Sequence, residues 1–300
     1  MSIILNWKQQ SGQTLDSIEI YRYDNPRQSV NPVAPGEPIV TLPGNTTTYE
    51  DKTTEAYKTY QYRIVAVKGT EKVMGLPIVQ GDFPMTGPGP QELIRGDWHR
   101  GYFGTLTNKE FILNHAELNG LIGFNAWNQA PTLFHKFVFK GRILFIPDTV
   151  TRLGTSWEEQ YRQGLAWGTD DYGFPPGGVT TTNQRRTFNK DGYEYVVRLP
   201  RLGDYSYGHS TYLSSGGYFQ DGEWHNTFAS LFRYAGVVRR FGDLPMRSGG
   251  SPTDSSATLF ANGRDIYNAW YYRSNSPDSP SYTYSTESAS VVHVIELVLS

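Results

Sequence analysis

Hydrophobic and polar residues alternate over short runs in the first 84 residues of the chain. Alternation with a period of two places every second side chain on one face and predicts β-strands with one buried side. Turn residues separate the runs, and several short strands at close spacing favour a β-sandwich. The predicted strands are residues 3–7, 17–22, 38–42, 47–51 and 60–67.

The pattern changes at a segment rich in proline and glycine, residues 85–97. Proline fixes φ and has no amide donor, so neither a strand nor a helix continues through this segment, and we interpret it as a stiff linker. Three aromatic residues follow closely, Trp98, Tyr102 and Phe103, and together they carry a large apolar area. We expect these three side chains to form a docking segment that fixes the orientation of two domains.

The second region, residues 98–300, mixes helical and strand patterns. Capping boxes that begin at Thr107 and Ser156 predict helices over residues 111–118 and 157–163. A third, amphipathic helix is expected over residues 227–232.

Strand signals in this region come from turns and from one apolar run. The dipeptides Lys140-Gly141 and Asp191-Gly192 separate strand-like runs and predict two β-hairpins. The run over residues 290–299 is too apolar for an edge strand and is expected in the middle of a sheet. Long loops rich in glycine, serine and tyrosine lie between these elements, so an α+β domain with long loops is expected.

Composition narrows the possible functions. At 300 residues the chain is long enough for two domains, and 38% hydrophobic with 19% charged residues describes a folded protein. The net charge of −2 provides no basic field for nucleic acid. The absence of cysteine excludes disulfides and thiolate chemistry and favours synthesis in a reducing cytoplasm. We also expect no membrane insertion and no secretion signal.

The N-terminal strands resemble a fibronectin type III domain. The similarity lies in Trp7, in the strand around Tyr21, in Tyr49 and in the strand that begins at Tyr60. It implies a sandwich over residues 1–84 with Trp7 in the core and a corner hydrogen bond from Tyr60. The usual first strand of that family is truncated here. Such modules are spacers and adhesion units, so this resemblance favours contact over catalysis.

The second region resembles the C-terminal domain of virion structural proteins of tailed bacteriophages. The similarity lies in residues 137–146, Ser156-Trp157, residues 193–199, Gly222-Glu223-Trp224 and the terminal strand. It implies a mainly β protein in which a fibronectin type III-like sandwich precedes an α+β, C-type-lectin-like domain with long loops. Because cysteine is absent, neither the lectin disulfides nor the catalytic thiols of the related enzymes are expected.

Motifs for catalysis, metal ions or cofactors are weak, and we expect no catalytic residue, metal site or cofactor. Gly208-x-Ser210 lacks the final glycine of a hydrolase elbow. The His115-x-Glu117 pair lacks the cysteines of a zinc deaminase. Paired carboxylates could hydrolyse glycans, and the candidates are Asp170, Asp171, Asp221 and Glu223.

An excess of aromatic residues in the loops points to contact instead. Aromatic rings stack on sugar rings or anchor protein interfaces. They can equally hold the loops on their own sheet or on neighbouring subunits. The candidate contact residues are Tyr205, Tyr207, Tyr212, Tyr218, Trp270, Tyr271 and Tyr272.

Taken with the resemblance, these features predict a structural component of a tailed-phage particle, of the collar, whisker or tail-fibre type. The resemblance implies a virion location, other virion proteins as partners, a homo-oligomer (a trimer or a higher ring) and host surface glycan as a further partner. One alternative is a capsid decoration protein. Another, from a different class, is a tail-associated glycan hydrolase.

Overall fold

The computed structural model of the chain is mainly β, with 37% strand and 11% helix in several sheets, as the sequence predicts. It describes residues 2–9, 12, 14–203, 221–234, 237–238, 240–241, 244–245, 258–263, 268–273 and 276–299. The chain divides into two compact units. The first comprises Met1–Thr86 with Asp97–His99, and the second comprises Gly87–Gly96 with Arg100–Ser300.

Seven strands form the first unit. They are β1 (Ile3–Asn6), β2 (Ser17–Tyr23), β3 (Val40–Pro43), β4 (Thr48–Asp51), β5 (Thr59–Lys68), β6 (Glu71–Met74) and β7 (Ile78–Gly81). Strands β1 and β4 form a two-stranded sheet, and the larger sheet has the order β3-β2-β5-β6, with β7 also paired to β5. The five strands expected from the alternation are confirmed as β1 to β5.

Strand β5 carries the core of this unit on one face only. Its even-numbered residues Tyr60 and Tyr62 are buried against Ile3, Leu5 and Ile20 from the neighbouring strands. Its odd-numbered residues include Val65, which belongs to a separate small cluster with Tyr21 and Val67 on the outer face. Apolar side chains therefore recur on each face of β5 with a period of two, which explains why the sequence pattern predicted this strand.

A buried carboxylate joins the two sheets of the first unit. Asp51 of β4 is fully buried and accepts hydrogen bonds from Arg22 (2.9 Å) and Tyr62 (2.8 Å) of the larger sheet. Thr53 adds its amide (3.0 Å) and its hydroxyl (2.7 Å). Burial alone would raise the pKa of Asp51, but the hydrogen bonds from Thr53, Tyr62 and Arg22 lower it below its usual value.

Strands and short helices alternate in the second unit. Its helices are α1 (His115–Ile122), α2 (Trp157–Arg162) and α3 (Glu223–Asn226), with 3₁₀ turns at Asn108–Glu110 and Phe228–Leu231. Its strands are β8 (Arg95–Asp97), β9 (Arg100–Thr107), β10 (Leu133–Phe139), β11 (Arg142–Pro147), β12 (Arg152–Thr155), β13 (Arg186–Lys190), β14 (Tyr193–Arg198), β15 (Phe232–Tyr234), β16 (Val237–Val238), β17 (Leu244–Pro245), β18 (Thr258–Gly263), β19 (Asn268–Arg273), β20 (Ser276–Tyr284), β21 (Ala289–Val291) and β22 (Val294–Leu297).

These strands form three sheets. The largest has seven strands in the order β13-β14-β22-β11-β10-β9-β8. A five-stranded sheet has the order β12-β21-β18-β19-β20, and a three-stranded sheet has the order β16-β15-β17. The expected hairpins are confirmed as β10–β11 and β13–β14, and Asp191 and Gly192 have the positive φ of 51° and 83° that such a turn requires.

The terminal apolar run is divided between two sheets. Strand β22 lies between β14 and β11 in the middle of the seven-stranded sheet, as expected, whereas β21 pairs with β12. The break falls at Val292 and His293, both of which are buried.

Two of the expected helices begin or end elsewhere. The capping box at Thr107 caps a single 3₁₀ turn, and α1 begins only after Asn114, whose side chain accepts a hydrogen bond from the Glu117 amide. Phe111, expected in the helix, instead contacts Phe134 at 5.0 Å between ring centroids. The helix expected over residues 227–232 is a 3₁₀ turn followed by β15. Helix α2 is confirmed, with Ser156 as its N-cap.

The proline- and glycine-rich segment is bound to the second unit over most of its length. Residues Gly87–Gly96 belong to that unit. Lys136 of β10 is fully buried, and its Nζ donates to the carbonyl oxygens of Pro88 (2.9 Å) and Pro90 (2.7 Å). Burial lowers the pKa of Lys136 to about 7. Most of the segment interpreted as a stiff linker over residues 85–97 is thus grouped with the second unit.

A buried histidine links the two larger sheets of the second unit. His293 is fully buried, with its Nδ1 2.8 Å from Thr151 Oγ1 and its Nε2 2.8 Å from Gln160 Oε1. Because Oε1 can only accept, Nε2 carries the proton of the neutral ring. Burial, assisted by the charge of Arg152, lowers the pKa of His293 to about 3.

We predict that Asp51→Ala lowers the free energy of unfolding of the first unit by about 2 kcal/mol, because Tyr62 and the Thr53 amide lose their buried acceptor. Asp24→Ala, at an exposed position, is the matched control and should change it little. Urea unfolding followed by circular dichroism measures both variants. Equal stability of the two variants would contradict this role of Asp51.

We also predict that acid removes the stabilising effect of His293. Its pKa is about 3 in the folded protein and near 6.5 in the unfolded chain, so only the unfolded chain gains a proton between these values. The free energy of unfolding therefore falls with decreasing pH, by about 1.4 kcal/mol per pH unit. His293→Gln should lack this contribution, so its deficit relative to the wild type shrinks between pH 6.5 and pH 4. A deficit that stays constant in urea titrations would show the assignment to be wrong.

Candidate contact sites

An apolar groove opens at one end of the first unit. Its volume is about 360 Å³. Core-facing residues of the larger sheet, Ile18, Ile64 and Ala66, lie along it. The remaining lining residues are Trp7, Lys8, Gln9, Leu15, Gly44, Thr46, Val73, Gly75, Leu76 and Ile78. The core of the sandwich is thus incompletely covered at this end.

The rim of the groove exposes large apolar side chains. Leu76 is 85% exposed and Val73 is 63% exposed. Elsewhere in the lining, Gly44 approaches Leu15 so closely that a Cβ at this position would lie 1.9 Å from the Leu15 carbonyl oxygen. Only glycine allows this approach, and the wall of the groove therefore depends on it. Lys8 is the one cation among the lining residues.

The groove adjoins an open sheet edge. Strand β1 pairs only with β4 in the described part of the chain. The Trp7 amide donates a hydrogen bond to the Thr47 carbonyl oxygen at 3.0 Å. In this register the odd-numbered residues of β1 make the backbone hydrogen bonds to β4. The backbone N–H and C=O groups of Ile4 and Asn6 therefore point away from β4. Ile4 is also 58% exposed. Backbone groups of this kind are available for pairing with another strand.

The second unit contains a buried cluster of opposite charges. Arg198 and Glu223 are both fully buried and form two hydrogen bonds, of 2.8 and 2.7 Å. Glu296 accepts two more from Arg198, from Nε at 2.8 Å and from Nη2 at 2.6 Å. The Arg201 amide donates to Glu223 (3.0 Å), and an Arg142 nitrogen lies 3.3 Å from the same carboxylate.

Electrostatics keep Glu223 ionised. Burial alone would raise its pKa, but the charges of Arg198 and Arg142 lower the pKa of Glu223 to about 2. A glycosidase acid needs the opposite, a raised pKa and access to the substrate. The geometry therefore assigns Glu223 a structural role. Asp221, another candidate, is 75% exposed and pairs with Arg100 (2.8 Å).

The aromatic residues predicted to make contacts all have side chains outside the described part of the structure. Tyr205, Tyr207, Tyr212 and Tyr218 lie outside the described residues. Trp270, Tyr271 and Tyr272 belong to β19, but their side chains lie outside the described part of the structure. Contact through these seven residues stays a prediction.

The three docking residues are divided between the units. Tyr102 and Phe103 are buried in the second unit, where the Tyr102 hydroxyl lies 3.0 Å from His135 Nδ1. Trp98 belongs to the first unit and stacks on Phe83, with ring centroids 5.1 Å apart. Trp98 therefore belongs to a different unit from Tyr102 and Phe103. The docking of the two domains stays a prediction.

Sequence reasoning missed the groove and the buried charges. The groove residues come from five separate stretches of chain, and only the apolar run through Gly75-Leu76 indicated an exposed apolar site. Glu223 lies 25 residues from Arg198, and Glu296 lies 98 residues from it. An arginine at the end of the apolar strand Tyr193–Arg198 was the available signal, because a buried charge needs a partner.

Within the described residues, no group of three or more histidine or acidic side chains is placed to hold a metal ion. In the same part of the chain, no helix is long and apolar enough to cross a membrane. Comparison of the chain with protein-family models, with curated proteins and with solved structures gives no match.

We predict that Glu223→Gln lowers the free energy of unfolding by about 3 kcal/mol, because it leaves Arg198 buried with less opposing charge. Asp221→Asn is the matched control: the Asp221 side chain is 75% exposed, and loss of its charge should cost less than about 1 kcal/mol. Thermal and urea unfolding of both variants measures the difference. A Glu223→Gln protein as stable as the control would argue against a structural role for this carboxylate.

Proposed function

We propose that the chain is a structural component of a tailed-bacteriophage particle, in an appendage of the collar, whisker or tail-fibre type. In this proposal the first unit is a fibronectin type III-like attachment module. The second unit is an α+β, C-type-lectin-like domain that contacts other virion proteins, further copies of the chain or host surface glycan. Many copies acting together would make weak individual contacts sufficient.

The main support for this proposal is the sandwich of the first unit, which is closed at one end and open at the other. Its seven short antiparallel strands in two sheets are compatible with the fibronectin type III-like arrangement. The Tyr60 hydroxyl accepts a hydrogen bond from the Glu55 amide at 2.9 Å, the kind of corner bond that the resemblance implies. Trp7 is half-buried at the groove instead of fully enclosed.

The open end provides a surface suited to attachment. It combines exposed apolar side chains, Leu76 and Val73, with an edge of β1 that pairs with no described strand. Strand addition to an open edge gives affinity through backbone hydrogen bonds, and neighbouring pockets give specificity. Attachment by recognition needs no reacting groups, and the buried, ionised Glu223 is consistent with that.

The second unit supports the lectin-like part of the proposal more weakly. Its seven-stranded sheet, its short helices and its long connections are compatible with such a domain. The capsid decoration protein remains the alternative within the same class. The position of the protein on the particle distinguishes the two.

Immunogold labelling of intact phage particles purified from cells that produce this protein tests the proposal. We expect gold at the neck or along the tail. Gold on the capsid faces would favour the decoration protein instead, and particles without gold would contradict a virion location.

A paired substitution tests the open end. We predict that Leu76→Asp reduces incorporation of the protein into particles about tenfold or more, because a charge at the apolar rim opposes burial there. Val33→Asp is the matched control, since Val33 is 90% exposed and lies outside the groove lining. Quantitative immunoblotting of purified particles measures both. Equal incorporation would exclude the groove as the attachment surface, whatever the labelling shows.

A further inference from the structure

A second cleft lies on the outer face of the larger sheet of the first unit. Its volume is about 340 Å³. Gln61 of β5 and Val79 of β7 are directly paired neighbours along it, and Arg63 follows on the same face of β5. The loop that carries Arg27 completes the lining together with Asp97, the last residue of β8, which is grouped with the first unit. This volume is at the lower end of the range of small-ligand sites.

Arg63 is a cation without a carboxylate partner in the described part of the chain. Its Nη1 donates to the Gly75 carbonyl oxygen at 2.9 Å. Its Nε is buried and donates to none of the described residues. A guanidinium that is half-buried in a concave site, with part of its donor edge unused, is one that an anion stabilises.

The other charges along the cleft cancel one another. Arg27 Nη2 contacts both carboxylate oxygens of Asp97, at 3.1 and 2.8 Å. The lining therefore carries one net positive charge, that of Arg63. This net charge favours an anion over a cation.

The neutral residues of the cleft limit the shape of the ligand. Gln61 is buried, and its amide nitrogen donates to the Gln28 carbonyl oxygen at 2.9 Å, which holds the side chain in one orientation. Pro77 and Val79 contribute apolar surface. A ligand with one anionic group on a compact carbon body matches this combination.

We propose that this cleft is a binding site for a small carboxylate ligand, with Arg63 as its counter-charge. A carboxylate is planar and accepts two parallel hydrogen bonds from the Nε and Nη2 edge of a guanidinium. Binding requires a small movement of the side chain that brings Nε to the ligand. The site is distinct from the apolar groove, because Ile64 and Ala66, at the groove, and Gln61 and Arg63, at the cleft, alternate along β5.

The arginine Nε–Hε resonances of the ¹⁵N-labelled full-length protein report binding directly. The protein is titrated with sodium glucuronate, a sugar acid, and with sodium glutarate, an aliphatic one. We expect at least one of the two carboxylates to change the chemical shift of the Arg63 resonance in a saturable way. The carboxylate that binds more tightly shows whether the ligand is a sugar acid or an aliphatic acid. Sodium sulfate at equal ionic strength is the third titrant and should displace this resonance less.

Variants locate the site. Arg63→Gln should weaken binding about tenfold or more, as the loss of a charge-assisted pair predicts. Arg63→Lys keeps the charge without the planar donor edge and should bind with intermediate affinity. Lys68→Gln is the matched control, because it removes an exposed cation from the same strand outside the cleft. Calorimetric titration with the same carboxylate measures all three.

Three outcomes would overturn the proposal. In the first, neither carboxylate changes the chemical shift of the Arg63 resonance. In the second, Arg63→Gln and Lys68→Gln bind the carboxylate with equal affinity. In the third, sulfate changes the chemical shift as much as the carboxylates do. None of these outcomes bears on where the protein lies in a particle, so failure here is distinguishable from failure of the proposed function.

Discussion

The alternation of side chains along β5 is the constraint on which the first unit depends. Even-numbered residues from Tyr60 to Ala66 face the sandwich core and reach the apolar groove at its open end. Odd-numbered residues face the opposite side, where Gln61 and Arg63 lie along the polar cleft. Because β5 pairs with β2, β6 and β7 at once, a shift of its register by one residue would exchange both faces. One strand thus separates an apolar contact surface from a charged one.

The two ends of the sandwich are stabilised in different ways. At the end where β1 begins, Ile3 lies opposite Asp51, whose buried carboxylate binds groups from both β2 and β5. At the other end, beyond Trp7, no comparable polar network occurs in the described residues, and the core opens into the groove. A sandwich held firmly at one end tolerates incomplete burial at the other. The exposed apolar rim is therefore compatible with a stable first unit, and an exposed apolar patch of this kind is typical of an interaction site.

The sequence predicted those features that local physical chemistry controls. Alternation identified β1 to β5, and the turn at Asp191-Gly192 identified a hairpin, because both signals act over a few residues. The helix expected after Thr107 failed because Phe111 gains more from burial against Phe134 and Phe145 than from continuing a helix. The groove, the cleft and the Arg198 cluster bring together residues that are distant along the chain. No local pattern carries that information.

Arg63 of the first unit has fewer partners than Arg198 and Lys136 of the second unit. In the second unit Arg198 is surrounded by the carboxylates of Glu223 and Glu296, and Lys136 donates to backbone carbonyl oxygens of the proline-rich segment. Their charges are used to hold strands and that segment in place. In the first unit Arg63 has a single carbonyl partner and no carboxylate among the described residues. Since a structural cation is expected to be paired, the unmatched charge of Arg63 argues for a partner that comes from outside the chain.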